Sequence, residues 1–150
     1  MTYKVPVSVL VLVHTADLQV LLLERADHPG FWQSVTGSQD DDETLLQTAQ
    51  RELGEETGIA VEAAALTDWK RQSRYEIYQH WRGRYAPGVT HNTEHVFGLT
   101  LSTMQNVVLA PREHLSWVWL PWREAADRVF SWSNAEAIRE LPQRSAGCGG

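Results

Sequence analysis

The spacing of apolar and polar positions separates strands from helices along the chain. Val5, Val7, Val9, Val11 and Val13 are interleaved with Pro6, Ser8, Leu10 and Leu12, a β-branched run apolar on both faces that predicts a buried central strand. Thr15-Ala16-Asp17 marks a turn, Leu18 to Glu24 returns as a second strand, and Asp27-His28-Pro29-Gly30 ends it with strong breakers. Phe31 to Thr36 is a short extended piece. The period then changes: Leu46, Ala49 and Leu53 fall at i, i+3 and i+7 of a helix from Thr44 to Thr57. Thr44 with Gln47 fits a capping box at its start, and Gly58 fits a stop at its end. Further strands are predicted at Ile59 to Trp69, Arg74 to Trp81, Thr93 to Leu101 and His114 to Leu120. Two helices follow, one entered through Pro121 and running to Val129, the other starting at Ser133 with Glu136 completing a second capping box. The pattern is that of an α/β protein.

The chain has 150 residues, 43% hydrophobic and 21% charged, which fits one domain able to bury a core without disulfides or structural metal. Residues 1–144 are assigned to that domain and the Gly-rich residues 145–150 to a flexible tail. The lone cysteine, Cys148, has no internal partner, so nothing indicates an oxidising compartment and a cytoplasmic location is expected. Nineteen acidic against thirteen basic residues give a formal charge of −6, the wrong sign for holding a nucleic-acid backbone by counterion release. The longest apolar stretch, Val5 to Val13, falls short of the ~20 residues of a membrane span and lacks the flanks of a signal peptide. The expected partner is therefore a small molecule, with no nucleic acid and no membrane; the oligomeric state is not legible.

Candidate chemistry concentrates on the first helix. Glu52 and Glu56 lie one turn apart on the same face with Glu55 beside them, so neighbouring Cβ atoms fall ~5–6 Å apart. Like charges at this spacing destabilise a helix by about 0.2–0.5 kcal/mol per pair, and a helix C-terminus also repels anions. Such a cluster is either a solvated acidic face or the seat of a hard divalent cation, which takes oxygen ligands from carboxylates and substrate phosphates. Other chemistries fail on spacing. His91 and His95 would stand ~13 Å apart on a strand, and no P-loop, Gly-x-Ser-x-Gly or Gly-x-Gly-x-x-Gly motif occurs.

The string Gly37-x5-Glu43-x7-Arg51-Glu52-Leu53-x-Glu55-Glu56-x-Gly58-Ile59 resembles the Nudix box with every fixed position filled. At ~7% per common residue, such a match arises by chance roughly once in 10⁸ registers. The resemblance to the Nudix family implies a Nudix-type α/β/α sandwich with a mixed sheet, in which this segment holds divalent metal, Mg²⁺ or Mn²⁺, and a pyrophosphate bond is hydrolysed. By resemblance, Glu52 and Glu56 match metal ligands and Glu55 the remaining carboxylate. Arg51 matches an orienting base whose guanidinium can fork onto Glu43. Gly37 and Gly58 match turn positions where a Cβ would be hindered.

Segments outside the box, among them Phe31 to Gly37, Arg84 to Thr90, Asn92-Thr93-Glu94 and Ser131 to Asn134, are similar to bacterial members of the family that hydrolyse dihydroneopterin triphosphate in folate biosynthesis. Through them Glu113 matches a third metal ligand or general base, giving a metal set of Glu52, Glu56 and Glu113. A triphosphate needs cations beside its metal, which singles out Lys4 and Arg25, and the Thr36 hydroxyl is a candidate phosphate contact. A flat amphipathic ring needs an apolar face and a polar partner, which Tyr75, Glu76, Ile77 and Tyr78 offer; Ser131 joins them by resemblance. The same residues also suit ordinary surface charge and a half-buried strand. The activity implied is cleavage of dihydroneopterin triphosphate to the monophosphate and pyrophosphate. A general (deoxy)nucleoside triphosphate pyrophosphohydrolase and a non-catalytic nucleotide-sensing module remain open alternatives.

Overall fold

The valine-rich run forms β1 (Val7–Thr15) at the centre of a sheet that has seven strands among the described residues. The computed structural model describes residues 2–148, with side chains to residue 145. Both faces of β1 are buried because alternate residues feed two separate cores. Val9, Val11 and Val13 pack with Leu21, Leu23, Phe97 and Leu99, covered by Ala49 and Leu53 of α1 (Leu45–Thr57). Leu10 and Leu12 point the other way, with Val20, Leu22 and Val96, and are covered by Ala125, Ala126, Ala137, Ile138 and Leu141. Those residues belong to α2 (Trp122–Arg128), α3 (Trp132–Arg139) and α4 (Leu141–Cys148). Helices on both faces of a mixed sheet make the expected α/β/α sandwich.

Strand β1 pairs in parallel with β6 (His91–Leu101) along its whole length, and β6 pairs antiparallel with β5 (Thr67–Glu76). The other edge of β1 is divided. Ser8 to Val11 pair with β4 (Val35–Ser38), whereas His14 pairs with Val20 of β2 (Gln19–Arg25). Strand β2 carries β3 (Trp32–Gln33) and β7 (His114–Pro121) on its own edges. The sheet therefore forks at the first half of β1. Leu10 and Thr36 on one branch and Arg25 and Gln33 on the other line the same cleft.

Helix α1 is delimited as its sequence predicts. The Thr44 hydroxyl accepts the Gln47 N–H at 3.1 Å and the Gln47 side chain accepts the Thr44 N–H at 2.9 Å, satisfying two of the orphan donors of the first turn. Gly58 ends the helix with φ 74°, its N–H on the Gly54 carbonyl at 2.9 Å.

Several expectations are corrected. The strands expected at Ile59 to Trp69 and Arg74 to Trp81 are one strand, β5, flanked by 3₁₀ turns at Ala63–Ala65 and Gln79–Arg84. The polar run Lys70-Arg71-Gln72 looks like a break, but it lies on an edge strand where a bulge with Lys70 at φ 53° removes the alternation. Trp81 lies beyond the strand in the second 3₁₀ turn, its ring stacked on Tyr78 with centroids 5.4 Å apart. The cap of α3 is Ser131, not Ser133; the Ser133 side chain is buried and turned into the protein. The tail expected from residue 145 begins inside α4, which Leu141, 1% exposed, anchors to the second core; residues 149 and 150 lie outside the described residues.

Replacing Gly58 with alanine forces an L side chain into the left-handed region and brings its Cβ to 3.0 Å from Val108 Cβ. Urea unfolding of Gly58→Ala is expected to show a loss of about 1–2 kcal/mol, with the native circular dichroism spectrum retained.

Candidate active site

Arg51 organises the acidic end of α1. Its Nε and Nη2 fork onto Glu43 at 2.7 and 3.0 Å, and its Nη1 donates to Glu52 at 2.8 Å and Glu55 at 3.3 Å. The fork is the arrangement that the family resemblance implies, and it fixes Glu43 as a carboxylate: hydrogen bonds from Arg51 hold its pKa down to about 2. Nη2 also reaches the Ser38 carbonyl at 3.1 Å, tying the helix to the end of β4.

Glu56 has no such cation. It is 2% exposed, its Oε1 accepts no hydrogen bond among the described residues, and the nearest ring nitrogen, His114 Nε2, stands 3.5 Å away. The charge of Glu52, one turn earlier on α1, also acts on Glu56. Burial first, then the charges of Glu52 and Glu113, push Glu56 well above the usual carboxylate range. His114 is itself held down to about 4, by burial and then by Arg25, and is neutral at pH 7.

These residues fit a divalent cation. Glu52 and Glu56 supply hard oxygen donors, Glu56 Oε1 is unsatisfied, and the missing side chain of Gly37 leaves the space that the Glu52 carboxyl fills, since a Cβ there would overlap it. The expected third ligand is not gathered in. Among the described residues no group of three or more His, Cys, Asp or Glu side chains stands close enough to hold a metal. Glu113 sits exposed on the loop before β7 and reaches Glu56 through its charge. The set Glu52, Glu56 and Glu113 is thus assembled only as far as its first two members.

The cleft has a volume of about 760 Å³, and every candidate residue lines it. Lys4 lies within electrostatic reach of Glu52 and Glu113. Although its residue surface is largely exposed, desolvation of the amine and repulsion from Arg84 and Arg25 hold it below its ordinary pKa. Arg25 is fixed by two bonds to Asp27 at 2.7 and 2.8 Å, by one to Gln33 at 2.9 Å, and by the Trp81 ring 4.3 Å beneath it. Asp27 also accepts from Arg84 at 3.0 Å and Trp81 Nε1 at 3.1 Å, so the cations of this wall are held in place by one carboxylate. The Thr36 hydroxyl, expected at the phosphate, donates to the Val9 carbonyl at 2.8 Å.

At the far end the lining turns aromatic. Tyr78 stacks on Trp81, Phe31 stacks on Phe130 at 4.5 Å, and Phe130 meets Trp81 edge-on at 5.8 Å. Tyr78, Trp81 and Phe130 face the cleft together with Tyr75 and Ile77, whereas Glu76 pairs with Arg82 at the rim at 3.0 Å. Ser131 caps α3 and exchanges a hydrogen bond with Ser133 at 2.9 Å. The sequence did not single out Trp81, Phe130 or Arg84 as site residues, because only the 3₁₀ turn and the entry to α3 bring them to one place. Nor did it single out Glu94. This side chain is 4% exposed, accepts from the Ser133 hydroxyl at 2.9 Å and lines the cleft, and burial pushes its pKa up to about 7.

Residues 4–141 match the NUDIX domain family. The chain is 48% identical over 142 residues to the dihydroneopterin triphosphate diphosphatase of Escherichia coli (strain K12), covering 93% of each protein. It is 43% identical over 143 residues to the Haemophilus influenzae protein of the same name, covering 93% of this chain and 89% of that one. Among solved structures, the E. coli dihydroneopterin triphosphate pyrophosphohydrolase superposes with a TM-score of 0.88 at 47% identity, over 93% of this chain and 97% of that one.

Because the folded protein raises the Glu94 pKa from 4.5 to about 7, the folded state keeps a proton that the unfolded chain releases. The contribution of this carboxyl to stability is therefore full below pH 4.5 and is lost as the pH rises towards 7. Urea unfolding between about pH 4 and 8 is expected to show a shallower decline for Glu94→Gln than for the wild type. An unchanged slope would show that Glu94 ionises as freely in the folded protein as in the unfolded chain.

Proposed function

The chain belongs to the NUDIX domain family and is a hydrolase of that family, and from this membership we propose that it is a pyrophosphohydrolase using Mg²⁺ or Mn²⁺ to convert dihydroneopterin triphosphate to dihydroneopterin monophosphate and pyrophosphate in the cytoplasm. Family hydrolases use divalent cations, and the relatives at 43% and 48% identity carry the name of this activity. The observation that carries the reading is the cleft itself, which is lined both by the Glu52 and Glu56 carboxyls and by the aromatic side chains Tyr75, Tyr78, Trp81 and Phe130.

Each residue then has a task. Glu52 and Glu56 would hold the cation, which when bound neutralises phosphate oxygens and lowers the pKa of a water. Arg51 stays charged and takes no part in ligation; it keeps Glu52 turned into the cleft and offsets Glu43 and Glu55. Lys4, Arg25 and Arg84 set positive charge against the polyphosphate, the two arginines aimed by Asp27. Glu113 carries no ion pair among the described residues and stands apart from the Glu52–Glu56 pair, which suits it to accept the proton of the attacking water. Water enters at the α- or β-phosphorus and the bond between that phosphorus and the α–β bridging oxygen breaks, its electron pair leaving on the pyrophosphate oxygen when the α-phosphorus is attacked and on the monophosphate oxygen when the β-phosphorus is attacked. Tyr75, Ile77, Tyr78 and Ser131 border the ring end, with Glu76 at its rim.

Steady-state turnover on a panel of triphosphates tests the reading. kcat/KM for dihydroneopterin triphosphate is expected to exceed that for each common nucleoside triphosphate. Equal efficiency across the panel would favour the general nucleotide hydrolase, and absence of turnover a sensing module. Pyrophosphate is the expected first product; orthophosphate in its place would contradict the bond assignment.

EDTA is expected to abolish turnover and Mg²⁺ or Mn²⁺ to restore it. Glu56→Gln removes a ligand charge at constant size and is expected to lower kcat by ~10² or more with the fold intact. Wild-type activity in that variant would take Glu56 out of the site.

A further inference from the structure

The ring end of the cleft has a polar floor that the reaction so far leaves idle. Glu94 of β6 stands in register with Ser8 of β1, and Asn92 of β6 stands in register with Tyr75 of β5. Asn92, 1% exposed, spends its amide hydrogens on Ser8 Oγ at 2.7 Å and Tyr75 Oη at 3.0 Å, leaving its Oδ1 without a partner. The one protein hydrogen bond to the Glu94 carboxyl among the described residues comes from Ser133. Arg71, the cation whose charge reaches it, places its two Nη groups on Glu136 and Glu140, and its buried Nε donates to no group among the described residues. A buried carboxyl with one donor and no cation bonded to it is under-satisfied, and such a group favours a ligand that brings N–H donors to it.

We propose that Glu94 selects the ring, accepting two adjacent N–H groups, one from a ring amide and one from an exocyclic amine, along the edge of a 2-amino-4-oxo heterocycle that lies among Tyr78, Trp81 and Phe130. A carboxylate has two oxygens with the spacing to accept such a pair side by side. The inference rests on the proposed pterin reading and deepens it, since a pterin carries this edge. Guanine carries the same edge and adenine does not, so the residue sorts ligands by edge chemistry and not by ring size. Glu76, the polar partner expected from sequence, is left to the rim by its pairing with Arg82.

Glu94→Gln tests this. Glutamine keeps an acceptor for Ser133 but sets an amide N–H₂ donor against one of the ligand's N–H groups. kcat/KM for dihydroneopterin triphosphate and for GTP is expected to fall by about 10²-fold, mostly through KM, while any ATP turnover stays within about threefold of wild type. Metal-free binding supplies a second readout: the variant is expected to lose affinity for dihydroneopterin and GMP by a similar factor and to keep that for AMP. Thermal melting establishes that it is folded. A folded variant with wild-type kcat/KM and affinity for the pterin and guanine compounds would overturn the proposal, as would an equal loss on ATP and AMP, which marks a structural role. A wild-type enzyme indifferent between pterin and nucleotides would instead defeat the proposed function, and the guanine-against-adenine comparison would still judge Glu94.

Discussion

The guanidinium of Arg51 is the constraint on which the acidic end of the molecule depends. Carboxylates on successive turns near a helix C-terminus repel one another and the helix dipole, and the segment stays helical because one cation bridges Glu43, Glu52 and Glu55. Glu43 comes from the loop ahead of α1, so the fork also closes that loop onto the helix. With Glu52 turned inward over Gly37, Glu56 is left buried with its pKa pushed up by desolvation. Glu56 is thus left without a cation while Arg51 balances Glu43, Glu52 and Glu55 around it.

The fork in the sheet gives Glu52 and Glu56 a place to work. Because β1 gives half of one edge to β4 and only its end to β2, the wall beside the acidic helix is made of strand ends and turns, which present charged side chains that a continuous sheet would bury. The cations of that wall share Asp27, and Arg25 stacks on Trp81. Trp81 is therefore common to the phosphate end and the ring end. A substrate seated on one is aligned on the other by the same side chain.

Where pattern and chemistry coincide, the sequence is legible. The valine alternation of β1, the Thr44–Gln47 box and the Gly58 stop each depend on local geometry, and each forms as written. The Nudix-type spacing names the acidic cluster because a helix converts intervals of three and four into neighbours. What the sequence hides is set by distant contacts. The polar run of β5 is a strand only because β6 holds it, and Ser133 looks like a cap until Glu94 claims its hydroxyl. The aromatic wall is assembled from residues around 31, 80 and 130, which no window along the chain compares. Glu113 shows the converse: resemblance marks the residue, while its place on an exposed loop leaves it outside the pair it was expected to join.

The parallel pairing of β1 with β6 also orders events during folding. These strands lie far apart in sequence, and a parallel pair requires the whole crossover between them, including α1, to be accommodated first. Ser8 and Glu94 meet only when that pairing closes. A nascent chain can therefore form its acidic helix early, from local signals alone, yet has no ring floor until the sheet has its final topology. The carboxyl cluster is a property of one segment; discrimination between rings is a property of the completed fold.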